Sequence, residues 1–141
     1  MESGNKDLVR RFIQEVVNTG NTGQIGEYLA DNYTEVFDNI RYPIGLEGAR
    51  AHIAGVRATY PDLLLDIDFQ IAEGEWVATN YTMTGTHAGE WIGIAPTGKK
   101  IRCTGVNLDR VVDGKIVEHG GAANLLGALM DIGAVLPNIK S

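Results

Sequence analysis

The sequence changes its hydrophobic period close to residue 61, and this change limits the folds that the chain can adopt. Before it, apolar residues recur at every fourth position, as at Leu8, Phe12 and Val16, which predicts an amphipathic helix over about residues 4–18. After Pro61 the apolar residues occupy alternate positions, which predicts a strand with one buried face. These alternating residues are Leu63, Leu65, Ile67, Phe69 and Ile71.

Further elements follow from the same two patterns. A short second helix is predicted over residues 24–30 and a third over 49–60, ended by Pro61. Three more strands are predicted over 76–86, 101–112 and 115–123, and the last two are joined by Asp113-Gly114, a dipeptide typical of two-residue hairpins. A final short helix covers 125–132. Helices followed by an antiparallel sheet indicate an α+β fold.

Length and composition exclude several classes of protein. The 141 residues suffice for a single domain, residues 1–141, with its own core. A net charge of −6 disfavours nucleic acid and anionic membrane as partners. Without an apolar run of about 18 residues or a signal-like start, no membrane span is expected and the cytoplasm is the predicted location. One cysteine, Cys103, excludes an internal disulfide framework.

A series of short fragments gives a more specific indication of the fold. They are Gly85-Thr86-His87-Ala88-Gly89-Glu90, Pro96-Thr97-Gly98, the segment 113–119, Leu125-Leu126-Gly127 and Ile132-Gly133. In this order and spacing the chain resembles the SnoaL-like polyketide and ester cyclases of the NTF2-like superfamily, over nearly its whole length. The resemblance implies a cone in which a curved antiparallel sheet wraps around a long helix, with two further N-terminal helices and an open pocket. It also implies a homodimer formed through the outer face of the sheet.

Three residues are candidates for catalysis. In the SnoaL-like polyketide cyclases the acid/base is an aspartate, and the family often has an acidic residue just before the Leu-Leu-Gly segment, where this chain has Asn124. An amide donates a hydrogen bond to an enolate or carbonyl but takes no proton. Asp38 is therefore the predicted base, at the mouth of the pocket, although a turn or capping aspartate is the alternative interpretation. His87 is the third candidate, and its alternative is a structural histidine bonded to the neighbouring loop.

Six further residues are candidates for binding the substrate: Tyr33, His52, Trp91, Asn107, Glu118 and His119. His52 lies on the inward face of the third predicted helix, and Trp91 has the ring needed to stack on a cyclic ligand, although core positions are the alternative for both. Glu118 and His119 are adjacent, so on a strand they face opposite sides unless a bulge intervenes. The three histidines show no metal-ligand spacing, so neither a metal nor a cofactor is expected.

The expected function is that of an enzyme without cofactor, a cyclase or isomerase that moves a proton on a hydrophobic, carbonyl-bearing, polyketide-like small molecule. This chemistry requires an enclosed pocket, one base and an oxyanion donor. A non-catalytic ligand-binding protein is the alternative, favoured by Asn124. A third possibility is the hydrolysis of an epoxide, which uses an Asp-Arg-Asp set, but Asp109 and Arg110 are adjacent on a strand and face opposite sides.

Overall fold

The structure, a computed structural model, describes residues 2–136 of the chain. Three α-helices are present in this range: α1 (Glu2–Phe12), α2 (Gly45–Thr59) and α3 (Leu125–Asp131). Helix α1 continues directly into a π-helical segment, Ile13–Val17. A 3₁₀ turn covers Ile25–Glu27.

Six strands form one sheet. They are β1 (Leu29–Phe37), β2 (Ile40–Tyr42), β3 (Leu64–Glu73), β4 (Trp76–Thr86), β5 (Lys100–Val112) and β6 (Lys115–Ala123), in the order β2-β1-β6-β5-β4-β3. Every neighbouring pair is antiparallel except β1 and β6, which run parallel. The predicted α+β fold is confirmed, but the sheet is mixed rather than antiparallel throughout.

The predicted helix over residues 24–30 is wrong. Ile25, Tyr28 and Leu29 are buried at helical spacing, yet the chain leaves the 3₁₀ turn after Glu27 and enters β1. Strand β1 has no apolar alternation in its second half, because two of its inward side chains, Tyr33 and Glu35, are polar and line a cavity. The apolar alternation that predicts a strand is therefore missing where β1 lies.

The helices cover the inward face of the sheet, where α1 packs on β3 and β4, α2 on β1, and α3 on β5. Two groups of buried side chains result. The first surrounds α1 and includes Val9, Ile25, Val77 and Ile116, whereas the second includes Leu63, Ile101, Cys103 and Ala128. Each fully buried aliphatic side chain stabilises the fold by roughly 1.5–3 kcal/mol. The side chains between these two groups line a cavity.

A bulge in β6 determines which of its side chains face inward. Ile116 pairs with Val111 and Glu118 pairs with Arg110, which leaves Val117 as an extra residue without a partner. An extra residue reverses the alternation of side chains that follows it. Glu118 consequently faces the outer side of the sheet, and His119 faces the cavity.

Among residues 2–136, no helix has both the length and the apolar character required to cross a membrane.

Candidate active site

A cavity of about 210 Å³ lies between α1, α2 and the inward face of the sheet. One part of its wall is mainly apolar and is lined by Phe12, Ile13, Val17, Ile53, Val56, Leu63, Leu65 and Met83. Arg57 also lines the cavity there, and its guanidinium donates to the backbone carbonyls of Val17 and Leu63. Polar side chains meet on the other part, namely Tyr33, Glu35, His52, Tyr81, Asn107, Asp109 and His119. An apolar enclosure with a few convergent polar groups is the usual form of a small-molecule site.

Asp109 and His119 form the central polar pair of this cavity. They are register partners on β5 and β6, and Oδ1 of Asp109 lies 2.7 Å from Nδ1 of His119. Burial alone would lower the pKa of His119, but the charge and hydrogen bond of Asp109, together with the charge of Glu35, raise it above its ordinary value. Asp109 also fixes which ring nitrogen carries the proton, because its carboxylate accepts from Nδ1–H. Nε2 of neutral His119 is then free to accept a proton.

A second polar group lies beside this pair. Glu35 is the register partner of His119 across the parallel strands β1 and β6. Oε2 of Glu35 accepts a 3.0 Å hydrogen bond from the Tyr33 hydroxyl and lies 2.9 Å from Nδ1 of His52 on α2. Burial opposes ionisation of Glu35, but the hydrogen bond and charge of His52, with help from His119 and Tyr33, lower its pKa. Glu35 is therefore a carboxylate at neutral pH.

Three further groups supply hydrogen-bond donors. Burial, reinforced by the charges of Glu35 and Asp109, strongly raises the pKa of Tyr33, so its hydroxyl keeps its proton. Burial likewise raises the pKa of Tyr81, whose ring lies over Gly105 on the neighbouring strand, where a side chain would collide with it. Asn107 is two residues before Asp109 on β5 and brings a side-chain amide to the same face.

The structure brings four of the predicted binding residues together and separates two from them. Tyr33, His52, Asn107 and His119 all line the cavity. Glu118, by contrast, lies on the outer face of the sheet, where it forms an ion pair with Arg41.

Trp91 and His87 belong to a different part of the protein. Strand β4 ends at Thr86, and the buried His87 packs against Tyr60 and Trp91, with ring centroids 6.2 and 6.4 Å away. Its Nδ1 accepts a 3.3 Å hydrogen bond from the backbone N–H of Thr97 and lies 3.0 Å from the Thr97 hydroxyl. Neither His87 nor Trp91 lines the cavity. These contacts are the ones expected of a structural histidine that is bonded to the neighbouring loop.

The expected positions of Asp38 and Asn124 are corrected by the structure. Asp38 does not lie at the mouth of the cavity but in the two-residue turn between β1 and β2, with positive φ at both Asp38 and Asn39. Asn124 does not face the cavity but precedes α3, where its Oδ1 accepts a 3.3 Å hydrogen bond from the backbone N–H of Gly127. Asp38 is thus a turn residue and Asn124 is the N-cap of α3, and Asp and Asn are favoured at both kinds of position.

The sequence interpretation missed Glu35, Tyr81 and Asp109 as cavity residues. From the sequence, Asp109 was considered only together with Arg110. The two side chains do face opposite sides of the sheet, since Nε of Arg110 lies 2.8 Å from a carboxylate oxygen of Glu75 on the outer face. Tyr81 is four residues after the buried Val77 on β4, and Asp109 is two residues before the buried Val111 on β5, so each faces the same side of the sheet as its apolar neighbour. This alternation could have identified both residues as inward-facing. Within residues 2–136, no group of three or more His, Cys, Asp and Glu side chains has the arrangement of a metal site.

Comparison with known proteins agrees with the family resemblance that the sequence fragments indicate. The sequence model of the SnoaL-like polyketide cyclase family matches residues 7–132. The aklanonic acid methyl ester cyclase AcmA of Streptomyces galilaeus is 31% identical over 137 residues, which cover 94% of this chain and 92% of the relative. The nogalonic acid methyl ester cyclase of Streptomyces nogalater is 32% identical over 130 residues, covering 86% of this chain and 92% of the relative.

A solved structure extends the likeness to three dimensions. AclR of Streptomyces galilaeus, described as a candidate hydroxylase, superposes with a TM-score of 0.85 at 26% identity and covers 99% of this chain and 87% of its own. Because the family match spans most of the chain, it establishes membership rather than a distant similarity of fold. The chain belongs to the SnoaL-like polyketide cyclase family.

Proposed function

We propose that this protein is a cofactor-independent cyclase that closes a ring in a hydrophobic, carbonyl-bearing, polyketide-like small molecule by proton transfer. The observation that carries the proposal is the Asp109–His119 pair inside an otherwise largely apolar cavity. Membership of the cyclase family supports the same class of reaction. Fold alone would not, because one fold hosts many activities.

His119 is the proposed base. Asp109 holds the imidazole through Nδ1 and stabilises the cation that forms, as an orienting carboxylate does in other histidine-dependent enzymes. Nε2 of His119 accepts a proton from the carbon next to a substrate carbonyl. The C–H electron pair becomes an enolate, whose oxygen is stabilised by a hydrogen bond from the Asn107 amide or the Tyr81 hydroxyl.

Ring closure follows without any further reactant. The enolate carbon forms a bond to a second carbonyl carbon of the same molecule, and the π-electron pair of that carbonyl becomes an alkoxide. The alkoxide takes a proton from the His119 imidazolium, which restores the neutral base. Atoms and electrons balance, so neither an oxidant nor a reductant takes part.

The cavity dimensions favour a compact substrate. Its volume of about 210 Å³ is below the range of roughly 300–1,000 Å³ of sites for drug-sized ligands. The proposed ligand of this cavity is therefore a molecule of about two fused rings, or one end of a longer molecule.

We further propose that two copies of the chain associate through an outer patch, defined as Phe69, Ile71, Trp76, Val106 and Leu108. These side chains are exposed and lie on the face of the sheet opposite to the cavity, since Val106 and Leu108 alternate with Asn107 and Asp109. A contiguous apolar area of this kind is characteristic of protein interfaces. Two small residues on β6, Gly120 and Ala122, border the patch as the register partners of Leu108 and Val106.

Location in the cytoplasm stays a prediction, with which the free, buried thiol of Cys103 is compatible.

The function is tested by exchange of the protons next to a carbonyl. The wild-type protein is incubated in D₂O with the bicyclic ketone 1-tetralone, and incorporation of deuterium is followed by mass spectrometry. We expect exchange by the wild type and a decrease of about 10²-fold or more in His119→Gln. The matched control is Glu118→Gln, which alters the adjacent residue on the outer face and leaves the rate near that of the wild type. Tight binding of the ketone without exchange would instead indicate a binding protein.

A further inference from the structure

Four ionisable side chains lie in one row across strands β5, β6 and β1 and helix α2. Asp109 and His119 face each other across β5 and β6, and His119 and Glu35 face each other across β6 and β1. His52 on α2 extends the row beyond Glu35, with its Nδ1 at 2.9 Å from Oε2. The row begins at a side chain that is 4% exposed, Asp109, and ends at one that is 54% exposed, His52.

The row offers the proton on His119 a second route, besides its return to the ligand. A ligand that filled the cavity would lie against the inward face of β5 and β6 and would separate His119 from bulk water. A proton taken from carbon then either returns to the same ligand or leaves through protein groups. Asp109, at the buried end, gives no exit, whereas Glu35 lies on the side of His119 that leads to the exposed His52.

We propose that Glu35 and His52 form a proton relay that connects His119 to solvent. This inference rests on the proposed function, because it takes His119 as the base. It assigns Glu35 and His52 the role of exchanging the catalytic proton with water, and not that of attacking the substrate.

The transfer proceeds in three steps that balance in protons. The His119 imidazolium gives its proton to the Glu35 carboxylate, either through a bridging water or through an oxygen of the ligand, since neighbouring strands are about 4.8 Å apart. In the His52 tautomer that carries its proton on Nε2, protonated Glu35 passes its proton to Nδ1, and Nε2 releases one to water. Exchange of protons between the exposed imidazole and solvent then restores the starting tautomer. The Tyr33 hydroxyl remains a hydrogen-bond donor to Glu35 throughout, because its raised pKa prevents it from giving up its own proton.

The relay is tested by loss of label from a deuterated ketone. 1-Tetralone carrying deuterium next to the carbonyl is incubated in H₂O with the wild type, His52→Gln, and the control Ala54→Gln, which alters an exposed residue of α2 outside the cavity. At saturating ketone, we expect His52→Gln to release deuterium at least about 10-fold more slowly than the wild type, and Ala54→Gln to match the wild type. Added imidazole should restore the rate of His52→Gln, which it would not do if His52 served only to hold the structure.

The outcomes separate the relay from the proposed function. Release of deuterium at the same rate by the wild type and His52→Gln would overturn the relay and leave the cyclase proposal intact. Absence of release by the wild type would overturn both. Glu35→Gln provides a second test, because the amide keeps the size of the side chain and an oxygen for Tyr33 but cannot take up a proton and pass it on, so it should slow the release as His52→Gln does.

Discussion

A carboxylate oxygen of Asp109 lies 2.7 Å from Nδ1 of His119, although the two residues are ten positions apart and meet only across a bulged strand pair. The contact is made at the wall of the cavity, where the Asp109 side chain is 4% exposed and that of His119 is 27% exposed. It gives an imidazole of fixed orientation with one nitrogen directed away from the carboxylate.

The first prediction concerns pH. Neutral His119 is the basic form, so the exchange rate should rise with pH as the imidazolium loses its proton. Because Asp109 and Glu35 raise the pKa of His119, the midpoint of this rise should lie above the ordinary histidine pKa of about 6.5. Asp109→Asn removes the main charge that favours the imidazolium. The rise should therefore move to lower pH, and the maximal rate should fall by on the order of 10²-fold or more because the tautomer is no longer fixed. A pH profile of 1-tetralone exchange that Asp109→Asn leaves unshifted would contradict this role of Asp109.

The second prediction separates the base that the sequence indicates from the one that the structure indicates. Asp38→Asn should leave exchange and melting temperature unchanged, because Asn adopts the positive φ of this turn at least as readily as Asp. Asn124→Asp should also leave the rate unchanged, since the new carboxylate still caps α3. The measurement is the exchange rate of both variants beside His119→Gln. A large loss of rate in Asp38→Asn would favour the sequence interpretation over His119.

The third prediction concerns His87, which the sequence offers as a catalytic candidate and which the structure buries outside the cavity. His87→Gln should lower the free energy of unfolding by about 1–3 kcal/mol, since the hydrogen bond from the Thr97 backbone is lost or distorted in a buried site. Urea denaturation measures this change. The exchange rate per folded molecule should stay the same, and a variant of normal stability that has lost exchange would return His87 to the list of catalytic residues.

The fourth prediction concerns the outer patch. Leu108→Lys places a charge at the centre of an apolar area on β5, and a buried unpaired charge opposes association strongly. Light scattering should give twice the mass of one chain for the wild type and the mass of a single chain for Leu108→Lys. As a comparison, Leu64→Lys alters another exposed aliphatic residue, outside the defined patch, and should remain a dimer. A wild type that is monomeric at micromolar concentration would refute the interface.

Much of the fold was predictable because its periodicity is strong. Helix α1 and strands β4, β5 and β6 lie close to where the sequence places them, since Val77, Val111 and Ile116 mark buried faces at the period of a strand. Strand β1 was missed because the inward side chains of its second half, Tyr33 and Glu35, are polar and line the cavity, and β2 because its three residues are exposed at the edge of the sheet. A strand with Tyr33 and Glu35 on its inward face has no apolar alternation to detect.

The candidate site was predictable only in part, for a reason that lies in the pairing of β5 with β6. The Asp113-Gly114 turn predicts pairs that count outward from Val112 and Lys115, and uninterrupted pairing would place Asp109 opposite Glu118. The bulge at Val117 moves the register by one residue and places Asp109 opposite His119 instead. No local pattern reveals this extra residue, so His119 was identifiable as a candidate while its partner was not.

The same bulge has a consequence for how the chain selects its native structure. Without it, the Asp109 and Glu118 carboxylates would face each other in the cavity, an arrangement in which both cannot be ionised without a large cost. Glu118 would also lose its ion pair with Arg41 on the outer face. The observed register satisfies the inner pair and the outer pair together, so the charges on both faces of β6 favour one alignment of the hairpin over its nearest competitor. Residues proposed for catalysis thus also contribute to folding specificity, and replacing His119 removes one of the interactions that distinguish the correct strand alignment from the shifted one.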